Sequence, residues 1–433
     1  MCSAVSQGEV VSRGPRTIRP PSPWRYAVLV SGESGAWSPE PSLGRPGVMT
    51  SPYRRVRILD VPAAAMGAVA DAMRFVGVVA QVSDPLPVPG GRSKVTDGFF
   101  AGPQHLILGA MSRIVSAHRE LAASIVHALE AYSSVRPHSW FCSDQRIDFR
   151  RGAAVMGILN MTPDSFSGDG LLQETIDSSR GCVDPGLAED LASGMFEDGA
   201  SIIDVGGEST RPSSSAICAE DELRRIIPLL DRIAGRYPVP ISVDTSKALV
   251  AREAIARGVR IINDVTALRG DPEMLSVIAS SKVGVVLMHM RGTPATMQSQ
   301  TSYEDLLRDV FLALHTRVRD CLDAGIDPRR IAVDPGLGFA KTAEHNLALL
   351  RRCKELTSLG MPVLVGPSRK GFLGRILNLP AEDRVEGTTA CCVAAAMGGA
   401  SILRVHDVKA AVRALKVAAA IETESIDVCG DNH

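Results

Sequence analysis

The sequence predicts an α/β protein: a (β/α)8, or TIM, barrel preceded by a small α/β accessory unit and a flexible N-terminal extension. Three observations carry that expectation. From about residue 150 onward, short apolar, β-rich runs recur eight times, separated by helix-length segments. Together they fill roughly the ~250 residues that such a barrel needs. Each run also ends in a cluster of polar residues, and the C-terminal strand ends of a barrel converge on one face. The runs are nearly continuously apolar rather than alternating, which suits a parallel sheet covered on its outer face; a doubly wound open sheet is the competing arrangement.

The elements follow in order. At 433 residues the chain has room for two or three domains. Residues 1–48 are rich in Arg, Pro, Ser and Gly without periodicity and read as a flexible extension, with Met49 as a second candidate start. Residues 49–140 read as the accessory unit. There, Val56 to Leu59 reads as a short strand, and Met66, Val69, Ala70, Met73 and Val76 recur at helical spacing. A Pro/Gly-rich break runs from Pro85 to Gly91, before one long helical pattern through Leu108, Met111, Val115, His118, Leu121, Ile125 and Leu129. The histidines of this unit lack partners at ligand spacing, so an architectural or dimer-supporting role is the expectation.

Residues 145–425 read as the barrel and 426–433 as a flexible tail. Its strands are expected at Ala153–Asn160, Ser201–Val205, Pro240–Val243, Ile261–Asn263, Gly284–Met288, Ile331–Val333, Pro362–Val365 and Ile402–Val405. Helices such as Leu187–Asp198, Glu220–Arg236, Tyr303–Ala324 and Ala343–Leu359 separate them.

Composition excludes several classes. Lys and Arg number 47 against 48 Asp and Glu, a balance that argues against a nucleic-acid binder yet leaves room for a local anion pocket. No apolar stretch is long enough to span a membrane, and the N-terminus lacks the apolar core of a secretory signal, so a cytoplasmic protein is expected. The nine cysteines form no C-x-x-C pair and are odd in number, which fits reduced thiols better than a zinc site or a disulfide framework.

The chemistry sits after the strands. The first ends in Asn160-Met161-Thr162-Pro163-Asp164, and the second runs into Asp204, Glu208, Ser209, Thr210 and Arg211. Later strands end in Asp244-Thr245, Asn263-Asp264, Met288-His289-Met290-Arg291, Asp334-Pro335-Gly336, Ser368-Arg369-Lys370 and Arg404-Val405-His406. Asp244, Asn263 and Asp334 supply two carboxylates and an amide, a trio suited to a flat heterocycle presenting adjacent N–H donors and a carbonyl, which Lys370 would meet. Arg404 and His406 lie two apart on a strand and point to the same side; with Arg211 and Asn160 they form an anion pocket for phosphate or diphosphate. Glycines 206, 207, 336 and 338 allow close backbone approach. No Ser/His/Asp or Cys/His nucleophile pattern and no Gly-rich nucleotide fingerprint occurs, so positioning and electrostatics are expected to carry the chemistry.

These residues closely resemble the dihydropteroate synthase family. Ile158 through Ser167 resembles its first signature and Ile203 through Pro212 its second, and the later strand ends follow in the family's order over about two-thirds of the chain. The resemblance implies condensation of 6-hydroxymethyl-7,8-dihydropterin diphosphate with 4-aminobenzoate. It also implies that Asp244, Asn263, Asp334 and Lys370 are the catalytic set and that, with Met288, they hold the pterin. Asn160, Arg211, Arg404 and His406 would bind diphosphate, with Asn160 helping to hold Mg2+. Thr210, Arg211, Phe339, Ser368, Lys370 and the loop from Asp164 to Ser167 would shape the aminobenzoate site, and a homodimer is implied. The sequence departs from the family at Gly371, Ala340, Ser213 and Ser214, changes that bear on sulfonamide affinity, and Leu171 to Val183 reads as a mobile lid or a plain solvated loop. A corrinoid-linked pterin methyltransferase and a non-catalytic pterin-binding protein are the alternatives.

Overall fold

The computed structural model describes residues 27–31, 53–83, 86–87, 94–114, 118–134, 136–162, 176–177, 182–209 and 216–426. The accessory unit comprises β1 (Ala27–Ser31), β2 (Tyr53–Pro62), α1 (Ala63–Phe75), β3 (Val79–Val82), β4 (Leu86–Pro87), β5 (Lys94–Pro103), α2 (Gln104–Met111) and α3 (Arg119–Ser133). Its strands form one antiparallel sheet in the order β1-β2-β5-β3, with β4 also on β5. The predicted α1 stripe holds: Met66, Val69 and Met73 pack with Ile125 and Leu129 of α3 against Val28, Val30, Val56 and Ile58.

Three expectations change here. Ala27–Ser31 belongs to this sheet and not to a flexible extension. The Pro85-to-Gly91 break contains β4, and β5 follows it unpredicted. The single helical pattern after it divides into α2 and α3, where the Ser112 hydroxyl donates to the Gly109 carbonyl at the end of α2 and competes with helix continuation.

A hairpin of β6 (Ser139–Cys142) and β7 (Gln145–Asp148) leads into the barrel. The barrel strands are β8 (Ala154–Asn160), β11 (Ile202–Gly206), β12 (Ile241–Asp244), β13 (Ile261–Asp264), β14 (Gly284–Met288), β15 (Ile331–Asp334), β16 (Leu364–Val365) and β17 (Ile402–Val405). A short ribbon of β9 (Ile176–Asp177) and β10 (Cys182–Val183) follows β8. All eight barrel strands are parallel, and a bridge between Val333 and Val363 closes the ring. The predicted strands hold to within a residue or two.

Around the ring lie α4 (Pro185–Glu197), α5 (Ala219–Ile233), α6 (Ala248–Ala256), α7 (Met274–Ser280), α8 (Leu306–Asp323), α9 (Ala343–Arg351), α10 (Cys353–Leu356), α11 (Gly371–Leu377), α12 (Val385–Met397) and α13 (Val408–Thr423). The helix expected over Ala343–Leu359 thus divides at Arg352. Local chemistry starts these helices. Asp184 caps α4 ahead of Pro185, Asp305 caps α8, and Thr342 and His345 form a capping box on α9.

The β6–β7 hairpin, which the sequence did not suggest, plugs the N-terminal end of the barrel. Trp140, Cys142, Ile147 and Phe149 pack onto the lowest inward layer, Ala154, Met156, Ile202, Ile261, Val286, Ala332, Leu364 and Ile402. The Trp140 indole N–H donates to the Arg330 carbonyl at 2.8 Å, satisfying its one donor. Among the described residues, the plug covers the N-terminal end of the barrel and leaves the C-terminal mouth to receive a ligand.

The accessory unit is joined to the barrel through β1. Val28 and Val30 face the unit's own core, while Ala27, Leu29 and, from β2, Leu59 join the barrel core. This alternation is the period-two signature of a strand buried on both faces. Arg57 pairs with Asp97 of the same sheet and with Asp305, the cap of α8.

Candidate active site

Register builds the cup. Asn160, Gly206, Asp244 and Asn263 are successive partners across β8, β11, β12 and β13, so they form one row at the C-terminal edge. Gly206 keeps a gap in that row: a Cβ there would stand 3.0 Å from Asn160 Oδ1 and 3.8 Å from Asp244 Cβ. On the far side of the ring, Met288 pairs with Asp334.

Below the row lies Asp204, fully buried on β11. Its Oδ2 accepts from Arg404 Nε at 2.6 Å and from Asn263 Nδ2 at 3.2 Å. Arg404 reaches across to Asp244 Oδ2 at 2.9 Å through Nη2. Asp204 therefore orients two residues of the predicted site, one by charge and one by its amide. The sequence reading placed Asp204 at a strand end but gave it no role. Its partners stand on β13 and β17, and only closure of the barrel brings them together.

Arg404 was expected in the anion pocket. Its guanidinium is clasped by the two carboxylates of the cup floor, so it links the heterocycle side of the site to the anion side. His406, two residues on, completes that side: its Nδ1 lies 2.9 Å from Ser368 Oγ, which also accepts from the His406 amide. Ser368, assigned to the aminobenzoate site, and His406, assigned to the diphosphate site, are thus direct neighbours.

Lys370 extends over Phe339, its Nζ 4.5 Å from the ring centroid. The turn that presents it is held from several sides. Arg369 adopts a left-handed conformation (φ 56°). Its side chain pairs with Asp407 at 2.9 Å, its N–H donates to Thr388 and its carbonyl accepts from Arg384. Strain at a non-glycine residue persists only where its surroundings determine it in this way.

Burial sets the protonation of the cup. It pushes the Asp244 carboxyl up to about 7, with Arg404 pulling it back and Asp204 adding to the rise. Asp334 rises to about 6 for the same reason, opposed by the Gly336 N–H, which donates to its Oδ1 at 2.6 Å, and by Lys370. The Lys370 ammonium is pushed down to about 8, first by burial and then by Arg404. Asp264 also rises to about 6, yet it serves structure: it accepts from the N–H groups of Thr266 and Leu268 and shapes the turn after β13.

Thr210, Arg211, the Asp164–Ser167 loop, Ser213 and Ser214 lie outside the described residues, as does most of Leu171–Val183. The residues flanking 210–215 are tied together, since Glu208 Oε1 accepts from the Ile217 N–H at 3.0 Å. Lys247 anchors Glu208 at 2.6 Å and the fully buried Glu222 at 2.5 Å.

Among the described residues, no three His, Cys, Asp or Glu side chains gather as a metal-ligand set. A donor available at the mouth, among the described residues, is the side-chain amide oxygen Oδ1 of Asn160, beside the gap at Gly206. One protein oxygen in an open, polar row fits a hard cation such as Mg2+ that takes its remaining ligands from water and substrate phosphate oxygens.

A closed parallel barrel whose sealed floor and polar mouth hold a carboxylate–amide–lysine cup defines a class of barrel enzymes that take a flat heterocycle. Residues 156–406 match the model of the pterin-binding enzyme family, and the chain belongs to that family. It is 44% identical over 275 residues to the dihydropteroate synthase of Synechocystis sp., which spans 63% of this chain and 92% of that protein. The structure of the Yersinia pestis dihydropteroate synthase with a sulfonamide drug complex superposes with a TM-score of 0.61 at 40% identity, covering 66% of this chain and 99% of that one. The Xanthomonas albilineans dihydropteroate synthase with 4-aminobenzoic acid does so with a TM-score of 0.59 at 40% identity, covering 66% and 98%. These relatives are accounted for almost end to end, while about a third of this chain is left unmatched.

Proposed function

We infer that this chain catalyses the dihydropteroate synthase reaction, joining 6-hydroxymethyl-7,8-dihydropterin diphosphate to 4-aminobenzoate to give 7,8-dihydropteroate and diphosphate. The observation that carries this reading is the single cup formed by Asn160, Asp244, Asn263, Asp334, Lys370 and Arg404 at the barrel mouth, within the segment matching the family.

The geometry suggests how the residues act. Asp334 and Asn263 accept from and donate to the pterin ring edge, with Lys370 at its carbonyl and Met288 against its face. The bond from the pterin methylene carbon to the diphosphate oxygen breaks, and diphosphate leaves with the electron pair. Arg404 and His406 face the departing charge, and Asp244 and Asp334 stabilise the cation left on the pterin methylene. The arylamine nitrogen, neutral at pH 7, then forms the new C–N bond and gives up a proton, so no strong base is needed. Phe339 and Ser368, with Thr210 and Arg211, are the proposed aminobenzoate contacts. We propose Mg2+ as the cofactor, held through Asn160; when bound, it neutralises charge on the diphosphate.

Two coarser points extend the proposal. No helix among the described residues is long and apolar enough to cross a membrane, which supports a cytoplasmic location. A homodimer through α12 and α13 is supported by Met397, Val417 and Ile421, which are 57%, 61% and 64% exposed on those helices.

The deciding experiment is a coupled diphosphate-release assay with both substrates. Lys370→Ala is expected to lower kcat/KM about 10²-fold, as for loss of a transition-state contact. Turnover within about threefold of wild type would remove Lys370 from the mechanism, and absence of turnover in the wild type would remove the assignment.

A further inference from the structure

Lys341 has no place in the scheme above, yet it is one of the most deeply buried cations of the barrel, at 4% exposure. Its ammonium is 2.9 Å from the Phe339 carbonyl oxygen, 3.0 Å from His289 Nδ1 and 3.4 Å from the His289 carbonyl oxygen. Burial pushes its pKa down to about 7, with Asp334 opposing the fall, so it is an ammonium at lower pH, and the three donors of that form are all spoken for. Opposite that ammonium the lone pair of Nδ1 faces Lys341, and the imidazole proton is on Nε2. Burial, followed by the charges of Lys341 and Arg291, keeps His289 well below its ordinary value, in keeping with a neutral ring.

These acceptors are the walls of the pterin cup. His289 follows Met288, and its N–H donates to the Asp334 carbonyl at 2.9 Å. Gly336, two residues beyond Asp334, has φ 70° and packs so closely on the His289 carbonyl that a Cβ there would lie 2.1 Å away. Phe339 carries the ring beneath Lys370. The loop after β14 and the loop after β15 are therefore joined at one amine, whose charge acts on Asp334.

We propose that Lys341 is a positioning residue for pterin binding: it locks His289 and Phe339 together and, when protonated, favours the ionised form of Asp334. The proposal rests on the dihydropteroate synthase reading. The charged groups facing Asp334 are Lys370 from the turn after β16, Arg404 from β17 and Lys341 from its own loop, with the Gly336 N–H bonded directly. All favour its ionised form, so removing any one of them lets its pKa rise further above about 6.

The test is Lys341→Met in the full chain, an unbranched apolar replacement of similar length, with His289→Leu as the second variant. Lys341→Met is expected to raise KM for the pterin diphosphate about tenfold. It should also move the acid limb of kcat/KM for that substrate upward by about half a pH unit or more. His289→Leu removes one acceptor but keeps the cation, so it should raise the same KM and leave the acid limb where it is. A merely structural lysine predicts lower thermal stability with both the limb and the pterin KM in place. That result, or a limb that moves equally in both variants, overturns the proposal. Wild-type turnover, measured alongside, separates this failure from failure of the functional assignment.

Discussion

Asp204→Asn isolates what the buried carboxylate beneath the cup contributes. The substitution keeps volume and one acceptor oxygen but removes the charge that faces Arg404 at 2.6 Å. Asp204 is fully buried, and breaking a buried ion pair by removing one partner costs about 3–5 kcal/mol. Arg404 retains Asp244 at 2.9 Å, and the amide oxygen still serves one donor, so the loss falls just below that range, at about 2–3 kcal/mol. The shift per kcal/mol shrinks with chain length, to about 1–2 °C for a chain of this size, so the melting temperature should fall by roughly 2–6 °C. The charge change has a second, opposite-signed consequence. Asp204 is among the negative groups that hold Asp244 up at about 7, so its neutralisation leaves Arg404 to act on Asp244 alone. The Asp244 pKa should therefore fall, and any acid limb it sets should move to lower pH. Calorimetry and carboxyl carbon NMR of the ligand-free protein read the two effects separately. A melting temperature within about 1 °C of wild type, or an Asp244 titration that stays or rises, would refute the account of the cup floor.

The remaining predictions concern the frame. Trp140→Ala should cost about 3–5 kcal/mol, because the ring is fully buried in the plug and its N–H is satisfied. Assayed well below its melting temperature, that variant should keep both KM values, since the plug and the mouth are at opposite ends of the barrel. At the seam of the two units, Leu59→Ala should cost about 2–4 kcal/mol, whereas Arg57→Ala should cost no more than about 1 kcal/mol. Leu59 is 2% exposed within the shared core, while the Arg57 pairs with Asp97 and Asp305 are partly open to solvent. Denaturant midpoints measured side by side check the ranking, and a larger loss for Arg57→Ala would reverse the view that the seam is apolar. A chain beginning at Met49 lacks β1, and with it Ala27 and Leu29 of that seam, so it should be less stable than the full chain in the same titration.

The parts of the molecule that the sequence made legible share a physical reason, as do the parts it hid. Barrel strands such as Gly284–Met288 are buried on both faces, so an unbroken apolar run reports them directly. Asn160, Asp244, Asn263 and Asp334 stand out because each is a polar residue terminating such a run. β1 has the same buried character on both faces, but its partner β2 begins at Tyr53, beyond a long polar stretch, and nothing local announces the pairing. The β6–β7 hairpin likewise takes its reason to exist from the barrel floor it covers, which later residues build.

Asp204 and Lys341 show the same limit inside the site. A buried charge is defined by what surrounds it, and the surroundings of Asp204 come from Asn263 and Arg404, far along the chain. Lys341 did leave a trace. It sits between Phe339-Ala340 and the Thr342 cap of α9, a stretch where an exposed lysine has no amphipathic face to occupy. Ala340 adds to it, since its φ of 52° is a conformation that a side chain adopts only when held. The carbonyl on one side of it accepts from the Lys341 ammonium, and the Ala340 methyl is fully buried beside Met288 and Met290. The strained alanine and the buried lysine are thus one feature, a turn folded inward so that an ammonium can meet two carbonyls and an imidazole. Replacing Ala340 with Gly should relax the turn without freeing Lys341, and so leave the acid limb of the pH profile in place.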